Sequence, residues 1–261
     1  MRMKRLKALS VFFLAALLAG NASSGRAEEK LFTTIDSKKE FASEISGLLG
    51  KAWKKWQDSV LINDIDVNGA RGTLRPGDMA EPVLSSNLIL ADFDSRGRSQ
   101  AYVDALRAVS GAVGEGMRCW QRGYTHGNIP FPQGASCSYT LSPCNNVPVT
   151  VVSGASPGAG KMSEKELYSF MLYRTPADDE EVKEVLRASA RAVSLSFRKW
   201  ERSCSIIGIA ASGGIAPTPA PMGTGPGPVK GAKGEGGKLV GAYFDDKYMY
   251  DQMVEYFETR E

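Results

Sequence analysis

Three short stretches carry one pattern: Trp53-Lys54-Lys55-Trp56-Gln57, Met117-Arg118-Cys119-Trp120-Gln121 and Phe197-Arg198-Lys199-Trp200-Glu201. Each closes a run in which apolar residues recur at three- and four-residue steps, as in Phe41, Ile45, Leu48, Leu49, Ala52, Trp53 and Trp56. That spacing makes one apolar stripe on a helix. It predicts long helices over 38–57, 99–121 and 177–204, with Asp36-Ser37 capping the first.

The register holds beyond the helices. With Trp56, Trp120 and Trp200 as origins, the residues one later are Gln57, Gln121 and Glu201. Nine later stand Ile65, Ile129 and Ile209, and eleven later Val67, Phe131 and Ala211. Pro-Val recurs at 82–83, 148–149 and 228–229. The expectation is an α+β, helix-dominated fold of three degenerate helix–extended–loop repeats (36–95, 96–176 and 177–238) plus a terminal half-repeat with a C-terminal helix (239–261). The repeat core is Trp53, Trp56, Met117, Trp120, Phe197, Trp200, Ile65, Ile129 and Ile209. No unit of this size buries its stripe alone, so neighbours share a core by stacking. In this reading each tryptophan locks its helix onto the strand that follows. The last helix, over 246–259, either caps the stack or docks on another subunit.

Between the helices, 60–67 and 147–152 read as strands and 164–174 as a short helix. Residues 212–238, rich in Gly, Pro, Ala and Lys, read as a mobile low-complexity segment. Glycines 111, 114 and 116 weaken the second helix, which predicts close packing of a neighbour at that point.

Residues 1–27 have the form of a secretory signal peptide. Arg2, Lys4, Arg5 and Lys7 precede an apolar run from Ala8 to Gly20 that is short for a bilayer span, and Gly25-Arg26-Ala27 suits cleavage. A second cleavage choice is Gly20-Asn21-Ala22. No later apolar run is long enough for a transmembrane helix. The signal holds five of the 32 basic residues and none of the 29 acidic ones, leaving a mature chain of charge −2. The basicity belongs to the leader, and no nucleic-acid footprint remains.

Four cysteines, Cys119, Cys137, Cys144 and Cys204, suit two disulfides in an exported chain. Three pairings exist; Cys137–Cys144 closes a short loop, and Cys119–Cys204 would join two helix ends. With one histidine and no Cys-x-x-Cys, the chain offers little for a metal site.

Several stretches imitate chemical motifs. Ala155-Ser156-Pro157-Gly158-Ala159-Gly160-Lys161-Met162 resembles a phosphate-binding loop, but Met162 stands where a hydroxyl must meet magnesium, so a flexible surface loop is expected. Asp64-Ile65-Asp66-Val67-Asn68-Gly69 begins like a calcium loop, yet its twelfth position is Arg75 instead of a glutamate, which favours a strand with a wet acidic face. His126 is the only base for a serine or cysteine triad and reads as a turn residue. No catalytic, cofactor-binding or metal residues are assigned. The pattern points to an exported, periplasmic or extracellular structural, assembly or interaction protein of the cell envelope, with a protein partner or self-assembly. The alternative is a hydrolase or carbohydrate-binding module using carboxylates that spacing alone does not place.

Overall fold

A computed structural model describes residues 32–79, 81–131, 144–175, 178–212 and 231–259. The leader expected at 1–27 and Cys137 lie outside them. The chain is α+β and helix-dominated. Its long helices are α1 (Ile35–Ser59), α3 (Gln100–Gly123) and α5 (Glu180–Ser203), and α2 (Ser86–Ile89), α4 (Glu164–Arg174) and α6 (Asp246–Glu258) are shorter. Among the described residues no helix is long and apolar enough to cross a membrane.

Each long helix starts on a side-chain cap. Thr34 caps α1 in a reciprocal box with Ser37, two residues before the expected Asp36-Ser37 cap, because the Thr34 hydroxyl reaches the free Ser37 N–H. Ser99 caps α3 and Asp179 caps α5, where Glu180 and Glu181 also suit the positive end of the helix. The apolar stripes face inward: Phe41, Ile45, Leu49, Val109, Val113, Val185 and Val193 are fully buried in one core.

Short strands follow each long helix: β1 (Ile65–Asn68) and β2 (Arg71–Leu74) after α1, β3 (His126–Pro130), β4 (Cys144–Asn145) and β5 (Val149–Thr150) after α3, and β6 (Cys204–Ile207), β7 (Ala210–Ser212), β8 (Ala232–Glu235) and β9 (Lys238–Gly241) after α5. Six form one antiparallel sheet in the order β3-β2-β1-β8-β7-β4. The sheet curls until the chain after β4 meets β3, where the Val147 N–H donates to the Pro130 carbonyl at 2.8 Å. Its inside holds Ile65, Ile129 and Ile209 with Val67, Phe131 and Ala211, all at most 1% exposed. β5, β6 and β9 form a second, three-stranded sheet. Since β1, β3 and β7 run the same way, the connections that follow them leave one end of the curled sheet, and the long helices feed in at the other.

Some segments differ from expectation. Only Val149–Thr150 of 147–152 is strand; Val151–Ser153 turns as a 3-10 helix. The loop expected at 153–163 contains a 3-10 helix, Pro157–Met162. The Gly/Lys-rich stretch supplies β8, because Gly234 lets that strand lie against Ile65 and Ile209. The stripe of α6 (Met249, Met253, Tyr256 and Phe257) is buried against α1 and α5 of its own chain. The three helix glycines do meet neighbours: a Cβ would lie 2.8 Å from the Arg174 guanidinium at Gly111, 2.9 Å from the Ser86 nitrogen at Gly114 and 2.6 Å from Met162 Sδ at Gly116.

A test of the sheet interior is Gly234→Ala, whose Cβ would fall 2.6 Å from Ile209 Cγ2 and 3.2 Å from Ile65 Cβ. Overpacking of this kind costs about 1–3 kcal/mol. Urea unfolding should show that loss, and a neutral variant would refute the packing described.

Candidate functional site

The ends of the three long helices meet in a layer of tryptophans. Trp56, Trp120 and Trp200 form a triangle with ring centroids 6.4, 5.6 and 5.3 Å apart. Trp53 and Phe197 flank it, and Phe244 stacks on Trp53 at 4.7 Å. Such pairs add about 0.5–1.5 kcal/mol each beyond the area they bury.

All three indoles are at most 1% exposed, so each N–H must find an acceptor inside the protein. Trp56 Nε1 donates to Gln121 Oε1 at 3.0 Å, Trp120 Nε1 to Glu201 Oε1 at 3.1 Å, and Trp200 Nε1 to Gln57 Oε1 at 2.8 Å. Every acceptor belongs to a neighbouring helix, and the three bonds close a cycle. The tryptophans therefore lock helix to helix; the expected helix-to-strand lock is corrected. Gln121 Nε2 continues outward to the Pro82 carbonyl at 3.0 Å, which Trp56 Nε1 also reaches at 3.2 Å.

Glu201 is the ionisable member of the cycle. It is half-buried, and burial raises its carboxyl above the ordinary 4.5, while the Trp120 bond and the charges of Arg202 and Arg198 act the other way. Beside it, burial chiefly raises the Tyr124 phenol, with Glu201 and Cys204 adding to the effect. The Tyr124 hydroxyl donates to the Val151 carbonyl at 2.7 Å.

The cysteines divide by surroundings. Cys119 and Cys204 are free, so the expected Cys119–Cys204 bridge is corrected. Cys119 Sγ faces the Glu115 carboxylate at 3.7 Å, and the Pro157–Met162 turn lies on its backbone. Cys204 instead opens β6, paired with Gly241 of β9. Burial pushes the Cys204 thiol up to about 12 and raises Cys119 as well, which keeps both protonated near neutrality. Cys144 is disulfide-bonded; Cys137, its expected partner, is outside the described residues.

The imitated motifs prove to be fastened into the fold. In the phosphate-loop stretch, Ser156 Oγ donates to the Trp120 carbonyl at 2.7 Å and accepts from Gly158 N–H at 3.1 Å. Lys161 pairs with Glu166 at 2.8 Å, and Met162 is buried. The stretch is a turn docked on α3, where a flexible surface loop was expected. In the calcium-like stretch Asp66 is held by Arg75 at 2.6 Å and Lys233 at 2.8 Å. No group of three or more metal-binding side chains occurs among the described residues.

His126 is 5% exposed, less open than a turn residue. Its Nδ1 accepts the Asn128 N–H at 3.3 Å, which places the proton on Nε2; Nε2 donates to Ser153 Oγ at 2.9 Å, and the Ser153 hydroxyl donates to the Thr150 carbonyl at 2.6 Å. A serine nucleophile needs the reverse polarity, with histidine accepting. Two surface depressions lie elsewhere. One of about 460 Å³ borders Phe32, Lys38, Glu184 and Arg187, and one of about 320 Å³ borders Ser43, Asp246 and Tyr250. In the first, Glu184 is tied to Lys38 at 2.9 Å.

No family profile, curated protein or solved structure matches the chain.

The indole cycle yields a paired test. Trp56→Phe removes the buried indole donor to Gln121 Oε1 and should cost about 1–3 kcal/mol. Trp53→Phe should cost clearly less, because Trp53 Nε1 is buried with no partner to lose. Equal losses in denaturant melts would remove the cycle's energetic importance. Glu201→Gln keeps the acceptor and deletes the charge. A carboxyl raised by burial contributes stability below pH 4.5 that is lost as pH rises through its raised value. We expect little change at pH 4 and a gain in stability at pH 8; an effect independent of pH would refute the assignment.

Proposed function

We propose that the chain is a ring of three copies of one helix–hairpin unit, serving as an exported, non-catalytic scaffold of the cell envelope for assembly or protein interaction. The observation that carries the three-copy reading is the cyclic order of its contacts. Each tryptophan donates to the residue after the next tryptophan, from α1 to α3 to α5 and back to α1. The strands keep the same cycle: β3 of the second copy lies on β2 of the first, β1 of the first on β8 of the third, and β7 of the third on β4 of the second. The connecting helices keep it too, with α2 against α1 and α3, α4 against α3 and α5, and α6 against α5 and α1. In this reading 239–261 completes the third copy and closes a ring, where the sequence pattern suggested a half-unit at the end of a stack.

The scaffold role is supported by what the reactive side chains do. Asp66, His126, Lys161 and Glu201 are each engaged in a bond that fastens two segments. The interaction face in this reading is the end of the curled sheet at which β1, β3 and β7 finish, opposite the end where the long helices enter. The leader at 1–27 and the pairing Cys137–Cys144 belong to the same proposal.

Expression in a bacterial host with fractionation tests it. The expected product begins at Glu28, leaves the cytoplasm, and labels under non-reducing denaturation at Cys119 and Cys204 alone. Native mass should exceed that of one chain or include a stoichiometric partner. An uncleaved cytoplasmic product would overturn export, four reactive thiols would overturn the disulfide, and a partner-free monomer would overturn the assembly role.

A further inference from the structure

We propose that His126 is an acid-operated latch: taking a proton on Nδ1 breaks its bond to the Asn128 N–H and detaches the start of β3. The geometry leaves the ring one way to be neutral and none to be comfortably charged. Neutral, it accepts from Asn128 N–H and donates to Ser153 Oγ. Protonated, it has donors only, so Asn128 N–H would face a second N–H and lose its acceptor on the ring. The charge would also sit in a site 5% exposed, which is unfavourable without a paired anion.

Several elements surround the ring. β2 brings Leu74 opposite it, the 151–153 turn brings Ser153, and the adjoining Tyr124 phenol is committed to the Val151 carbonyl. Burial is the sole influence on its pKa, which it holds below 6.5; no charged side chain among the described residues compensates. The linkage sign follows. A histidine with a depressed folded pKa contributes stability above 6.5 that is lost as pH falls through the depressed value.

The release is local. The turn keeps Tyr124 O–H to Val151 and the paired Thr125–Ala155 bonds of 2.7 and 2.9 Å. What loosens is the Leu74–His126 end of the β2–β3 pairing, at the exit from α3. The two equivalent places in the ring hold aliphatic side chains. Ile62 bridges Met79 and Gly237, and Ile206 pairs with Val149 and Leu239. Of these three equivalent places, only the one at His126 carries a side chain that titrates. This contrast rests on the three-copy reading; the hydrogen bonds do not.

His126 is the chain's single histidine, so its imidazole signal in NMR of the mature protein is assigned without ambiguity. Between pH 4 and 8 it should titrate below 6.5, and Asn128 amide protection, corrected for intrinsic exchange, should fall tenfold or more in the same transition. His126→Ile, the residue at both equivalent positions, should fold and keep the Leu74 end of β2 protected across the whole range. An imidazole that titrates while Asn128 stays protected overturns the latch, as does an unchanged acid response in His126→Ile. An unfolded His126→Ile with a normal wild-type titration would instead overturn the equivalence with Ile62 and Ile206.

Discussion

The structure depends on where three buried indole N–H groups can find acceptors. The three tryptophans are almost fully buried against one another, and a stranded donor at that depth costs about as much as a typical core mutation. Each acceptor is supplied by the helix next door, one residue past its own tryptophan. The constraint sets the rotation of every long helix about its axis, because turning one by a single residue would break a bond it makes and a bond it receives. The strands start within a few residues of those helix ends, so their placement follows from it.

Much of this was readable from spacing, and the rest failed for identifiable reasons. Periodicity reports which face of a helix is buried but not what covers it. Hence the stripes and the shared burial of Ile65, Ile129 and Ile209 were legible, while the cyclic indole bonds were not. The clue lay in the residue after each tryptophan: Gln57, Gln121 and Glu201 are acceptors at one position, which has little reason to recur on a solvated face. Composition misled at 231–238, where glycine signals close approach of strands instead of looseness. Cysteine count suggested a bridge between Cys119 and Cys204, but neighbouring elements separate their surroundings. The burial of His126 was hidden because a lone histidine beside glycine resembles any turn.

Tyr124 and His126, just past α3, and Glu201 and Cys204, at the end of α5, are all shifted by burial. Glu201 and His126 respond to pH in opposite directions, one losing stability as pH rises and the other as it falls.

The last helix has a further consequence. α6 packs on α1, and Lys39 pairs with Glu258 across 219 residues of chain. Until that helix exists, one side of the core is open and the first helix lacks its neighbour. Contacts of such long sequence separation close slowly, since the intervening chain must be ordered first. Closure of the core therefore waits on the docking of α6 against α1 and α5.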